Sequence, residues 1–86
     1  MDMICEYEYD MQARCPADER TVDYYTVRVV SSTMIECGEL RKILGELHGV
    51  TMWQEDITKL LATRLRCKVM TLGYHHGIKT TITAES

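Results

Sequence analysis

From Cys5 to Cys15 the chain alternates without a break: Cys5, Tyr7, Tyr9, Met11, Ala13 and Cys15 share one parity, and Glu6, Glu8, Asp10, Gln12 and Arg14 share the other. A period of two sends successive side chains to opposite faces, so this segment buries its apolar set only as a half-buried strand. Pro16, the only proline, lacks the amide hydrogen that a continuing central strand needs. The polar stretch 16–21 therefore reads as a wide loop. Val22 to Ser31, rich in β-branched and tyrosine residues, reads as the returning strand of a hairpin.

The spacing then becomes helical. Leu40, Ile43, Leu44 and Leu47 fall at i, i+3, i+4 and i+7, and His48-Gly49 supplies the stop. A second helix carries Ile57, Leu60, Leu61 and Leu65 as its apolar stripe. Thr51 to Gln54 fits a capping box before it, and Glu55 and Asp56 in its first turn suit the helix dipole. Cys67–Leu72 and Ile78–Ala84 read as two strands joined by residues 73–77. The order ββααββ predicts an α+β fold, a four-stranded antiparallel sheet with both helices on one face.

With 86 residues the chain is expected to form one domain, residues 1–86. A domain of this size buries only about 60–65% of its extended surface, so association of subunits is expected to complete its stability. Closing a ring of such sheets into a barrel would also cover the edge strands. The mean hydropathy of −0.21 and the lack of a long apolar run exclude a membrane-spanning helix. The opening residues do not read as a signal peptide, so the cytoplasm is the expected compartment. Net charge is −3, which gives no global field for nucleic acid. Arg64, Arg66 and Lys68 with Arg14 and Lys79 are the nearest approach to a basic patch. The four cysteines form no CxxC pair and match no zinc spacing with His75 or His76, so neither disulfide nor metal is expected.

Cys15 ends the first strand just before the proline, where a chain leaving a sheet can present a reactive group. Asp23, at the start of the returning strand, can face it across the loop mouth. The plainer readings are a packed thiol and a solvated turn residue. Glu36 and Glu55 stand near helix starts, where they either cap or accept the paired N–H donors of a guanine-like ring. Tyr24, Tyr25 and Tyr74 either pack or flank a planar heterocycle, and Met11, Met34, Met52 and Met70 read as core fillers.

In this order, these residues resemble the tunnelling-fold family of 7-cyano-7-deazaguanine nitrile reductases (QueF) and their short QueF-like amidinotransferase relatives of archaeosine synthesis. Cys15-Pro16 followed by Thr21-Val22-Asp23-Tyr24 looks like the family's catalytic Cys-Pro and downstream aspartate. Ile35-Glu36 resembles its Val-Glu, Gln54-Glu55 its His-Glu, and Gly77-Ile78 its Gly-Ile. Gln54 thus stands where the family has histidine, and the interval from Cys15 to Asp23 is one residue longer. The Glu-Ser-Lys motif that holds NADPH in the reductases is replaced by Glu36-Cys37-Gly38, with Glu39 following, and His75-His76 replaces the arginine-glycine pair of the last turn.

The resemblance implies a QueF-like amidinotransferase, with Cys15 as nucleophile forming a thioimidate on the nitrile of 7-cyano-7-deazaguanine and Asp23 moving the proton. It implies Glu55, Glu36, Gln54 and His76 as substrate-binding residues, ammonia as co-substrate, and neither metal nor NADPH. The substrate is expected as the free base or within tRNA or DNA. Stacked pentameric rings are implied, with sites between neighbours, an arrangement in which Cys15 and Glu55 of one site can come from different chains. The alternatives are an NADPH-dependent nitrile reductase, a non-catalytic purine-binding or structural ring protein and, more distantly, zinc chemistry of the GTP cyclohydrolase type.

Overall fold

A computed structural model describes residues 2–86 of the chain. Strands β1 (Cys5–Cys15) and β2 (Asp18–Ser31), helices α1 (Cys37–Glu46) and α2 (Gln54–Leu65), and strands β3 (Lys68–His75) and β4 (Ile78–Ala84) follow in the expected ββααββ order. The strands pair antiparallel in the order β1-β2-β3-β4. Met11 and Ala13 of β1, Tyr25, Val27 and Val29 of β2, and Val69 of β3 pack on Leu40, Leu44 and Leu47 around α1 and on Ile57, Leu61 and Ala62 of α2. One apolar layer therefore lies between the sheet and both helices. Among the described residues no helix is long and apolar enough to cross a membrane.

The first hairpin is tighter than a wide loop. Only Pro16 and Ala17 separate the strands, and Cys15 pairs with Asp18 while Arg14 pairs with Val22. Glu19, Arg20 and Thr21 thus form a three-residue bulge on β2. Asp18 holds it, its carboxylate accepting from the Arg20 N–H at 3.1 Å and the Thr21 hydroxyl at 3.4 Å. Arg14 Nη1 adds a bond to the Glu19 carbonyl at 3.0 Å.

Glu36 caps its helix, one of its two readings, whereas the capping box read at Thr51 to Gln54 is not formed. Glu36 is itself the N-cap of α1, accepting from the N–H groups of Gly38 and Glu39 at 2.9 and 2.8 Å. These two bonds hold its carboxyl below the usual carboxylate range. The N-cap of α2 is Trp53, which makes no side-chain cap bond. Instead the segment before α2 lies along the end of β1. Gly49 N–H donates to Gln12 O at 2.6 Å, Arg14 N–H to Val50 O at 2.8 Å and Met52 N–H to Arg14 O at 3.1 Å. The stripe of α2 is Ile57, Thr58, Leu61 and Ala62 rather than one that includes Leu60, which is 37% exposed. Met34, expected as a core filler, is 81% exposed on the connection into α1.

Strand β3 runs three residues further than its apolar pattern suggested, leaving His76-Gly77 as a two-residue turn. Both residues have positive φ, +52° and +79°, as a type I′ hairpin turn requires. Gly73 is buried opposite Tyr25, and a Cβ there would stand 2.5 and 2.6 Å from two carbons of the tyrosine ring. Gly73→Ala is therefore expected to lower the unfolding free energy by about 1–3 kcal/mol in a urea titration. The loss should shrink when Tyr25 is replaced by leucine. Equal losses in both backgrounds would show that the ring is not what the methyl meets.

Candidate active site

At one end of the sheet, backbone geometry alone brings three elements together. β1 ends at Cys15, β2 re-enters register after its bulge with Asp23 opposite Ala13, and β3 ends at His75. Residues that pair across antiparallel strands share a face, so Ala13, Asp23, Tyr25, Gly73 and His75 all point toward the helix layer. The tie between residues 49–52 and β1 then delivers Trp53, Gln54 and Glu55, the start of α2, to the same end. These groups surround a cavity of about 420 Å³, whose wall includes Cys15, Asp23, Tyr25, Glu55, His75 and His76.

The thiol of Cys15 is free and half-buried. The Asp23 side chain is only 12% exposed, and two neighbours address its two oxygens separately. Tyr25 donates its hydroxyl to Oδ2 at 3.4 Å, while His75 Nδ1 stands 3.9 Å from Oδ1. Burial, and then the charge and hydrogen bond of Asp23, push the Tyr25 phenol well above its ordinary range. Tyr25 therefore remains a donor to Asp23 at all ordinary pH. Its ring lies tilted against that of His75 at 5.9 Å between centroids.

Behind His75 runs a buried polar chain. The other ring nitrogen, Nε2, is 2.7 Å from Gln54 Oε1, and Gln54 Nε2 donates to Thr71 O, Thr71 Oγ1 and Thr80 O, each at 3.1 Å. Thr58 donates its hydroxyl to Gln54 O at 2.8 Å and meets Thr71 Oγ1 at 2.6 Å. Among the described residues every buried side-chain nitrogen and oxygen has a partner.

Cys15, Asp23, Glu55 and His76 of the residues singled out in the sequence thus meet at one cavity of a single chain, so Cys15 and Glu55 need not come from different subunits. Two residues expected to bind substrate are otherwise engaged. Gln54 touches the cavity but is 4% exposed, with its amide committed to the protein on both ends. Glu36 lies elsewhere, capping α1 just after Ile35, whose N–H donates to the hydroxyl of Tyr7. Tyr7 is eight residues from Cys15 along β1, about 26 Å at a strand's rise. Sequence reasoning passed over two members of the site, Tyr25 as donor to Asp23 and His75, set aside as a turn residue. Tyr24 and Tyr74 are exposed and do not join Tyr25 at the cavity wall.

No family model and no curated protein matches the chain. Among solved structures it is similar to the apo form of the archaeosine synthase QueF-Like, with 20% identity and a TM-score of 0.85 over 96% of this chain and 92% of that one. At that identity the likeness speaks for the fold: element order, sheet topology and structural neighbour agree that the chain has the tunnelling fold that the resemblance implied.

Proposed function

We propose that the chain is a QueF-like amidinotransferase, turning the nitrile of a 7-cyano-7-deazaguanine, as free base or within tRNA or DNA, into a formamidine with ammonia. The observation that carries this reading is the meeting of a half-buried thiol, a shielded carboxylate and a helix-start carboxylate round one cavity. Its volume of about 420 Å³ suits a small planar ligand.

A thiolate is a strong nucleophile toward an electrophilic sp carbon. Cys15 Sγ bonds to the nitrile carbon, one C–N π bond breaks, and the thiol proton reaches the nitrile nitrogen by way of Asp23, giving a neutral thioimidate. Ammonia then adds to that carbon. Collapse of the tetrahedral adduct breaks the C–S bond, and a proton from the ammonia nitrogen returns to sulfur through Asp23. One nitrile and one ammonia give one amidine, with no oxidant or reductant consumed. The two oxygens of Glu55 accept the N1–H and exocyclic amine of the ring, with His76 beside the bound base and Trp53 at the rim.

The same reading includes assembly into stacked pentameric rings. Two edges favour it. The stretch of β1 before Gln12 and the outer side of β4 offer unpaired backbone groups, and Ile78 at the start of β4 is 68% exposed. In a ring, Glu36 would approach a site on a neighbouring chain.

Incubated with 7-cyano-7-deazaguanine alone, the wild-type protein should gain the full mass of the nitrile, because addition expels nothing, and Cys15→Ala should gain none. With ammonia the product should be heavier than substrate by one ammonia. A product heavier by four hydrogens in the presence of NADPH would identify a reductase instead, and no adduct at all would leave a binding or structural ring protein. Asp23→Asn is expected to slow adduct formation about 10²- to 10⁴-fold, read by stopped reaction and intact mass. Native mass spectrometry should give subunit numbers in multiples of five, and a monomer at micromolar concentration would refute the ring.

A further inference from the structure

We propose that His75 is a positioning residue for the cysteine chemistry: it forms a one-proton pair with Asp23, and Gln54 fixes which ring nitrogen faces the carboxylate. The role in catalysis rests on the assignment of Cys15 and Asp23 made above. The pairing itself rests on geometry alone, a 2.7 Å hydrogen bond from His75 to Gln54 and a 3.9 Å ion-pair contact between His75 Nδ1 and Asp23 Oδ1.

The orientation of Gln54 can be deduced. Two of the groups around its amide, Thr71 O and Thr80 O, are backbone carbonyls that only accept, so the NH₂ end must face them. Thr58 gives its hydroxyl hydrogen to Gln54 O, so Thr71 must donate to Thr58, leaving a lone pair on Thr71 Oγ1 for the Gln54 amide. With its nitrogen so placed, Gln54 turns Oε1 to His75 Nε2 at 2.7 Å. Two acceptors cannot share that distance, so Nε2 carries a hydrogen in every protonation state of the ring. The nitrogen that gains and loses a proton is then Nδ1, the one facing Asp23 Oδ1 at 3.9 Å.

A proton between these groups lies on the carboxyl or on the imidazole, and either arrangement leaves the pair with one. With Cys15 as thiolate, that proton is available to the nitrile nitrogen through Asp23, the member of the pair that touches the substrate. The other titratable groups around His75 are Cys15 at the end of β1, Tyr25 on β2, Glu55 on α2 and His76 in the turn. Tyr25 stays neutral, so Asp23 and Glu55 are the acidic groups that face the ring and His76 is the other basic one. The Nδ1 contact is longer than a good hydrogen bond, as is common at catalytic groups before substrate closes the site.

Two measurements test this. In ¹⁵N-correlated spectra neutral His75 should show the Nε2–H tautomer, and its Nδ1 resonance should move in Asp23→Asn, which changes the group that nitrogen faces. An Nδ1–H tautomer, or an Nδ1 resonance unmoved by Asp23→Asn, would overturn the pair. His75→Gln keeps a donor for Gln54 but holds no titratable proton. It should slow adduct formation about 10²-fold at little-changed half-saturation, lose the alkaline limb of the wild-type rate profile, and be partly rescued by imidazole. Wild-type rate and pH profile in His75→Gln would overturn the catalytic role. If the wild type forms no nitrile adduct, the amidinotransferase reading fails by itself. The tautomer still decides the pair, and the pH profile of Cys15 alkylation by iodoacetamide, read by peptide mass, then decides whether His75 tunes the thiol.

Discussion

At the functional end the helix layer is joined to β3 and β4 through the side-chain amide of Gln54, with the hydroxyl contact of Thr58 to Thr71 beside it. Burying such a group costs several kcal/mol if its donors and acceptor are left without partners. Gln54 meets that cost by bonding carbonyls of β3 and β4 with its nitrogen and the ring of His75 with its oxygen. The bonds fix the start of α2 over two strands at once. Glu55, the next residue, is thereby carried to the cavity, and Thr58, one turn on, extends the same circuit to Thr71. A mixed core of this kind is less forgiving than an apolar one, because a lost partner leaves a buried polar atom unmatched.

How much of this could be read in advance varies by element, and the reasons are physical. β1 was fully legible, since it lies at the sheet edge with one face buried, and its parity matches the burial observed. β3 was read only to Leu72 because Gly73 and two histidines look like a turn. Gly73 is required by the ring of Tyr25 on another strand, a contact that no local pattern records. Had the strand been continued, the inward parity of Val69, Thr71 and Gly73 would have turned His75 to the cavity. In α2 the buried face includes Gln54 and Thr58, so a search for leucines rotated the stripe toward Leu60. Cys15 and Glu55 stand out because they sit at element ends, and Asp23 because it opens the apolar run of β2 just past the bulge, although the strand itself starts at Asp18. Tyr25 and the circuit through Gln54 depend on pairs far apart in sequence.

The segment before α2 bears on association as well as on the site. Its bonds to Gln12 and Arg14 occupy the edge of β1 at the end near Cys15, so that stretch cannot pair with another chain. The edge that stays open lies toward Cys5, away from the cavity. Any partner strand added there extends the sheet without entering the first hairpin, which keeps the thiol's surroundings intact while the unpaired edge is covered.

The bulge on β2 explains an interval that at first looks awkward. A two-residue turn at Pro16-Ala17 with unbroken pairing would place Asp18 opposite Cys15, Glu19 opposite Arg14 and Arg20 opposite Ala13. The observed register instead omits Glu19, Arg20 and Thr21 and puts Asp23 opposite Ala13. Three extra residues thus exchange a guanidinium for a carboxylate on the inward face, two positions along β1 from the thiol. Because the count is odd, Asp23 and the thiol remain on one side of the sheet, whereas an even insertion would turn that carboxylate to the opposite face. The hydrogen bonds that Asp18 accepts from the Arg20 amide and the Thr21 hydroxyl make the exchange definite rather than one of several slipped registers. The eight-residue separation of Cys15 and Asp23 is therefore the sum of a tight turn and a held bulge.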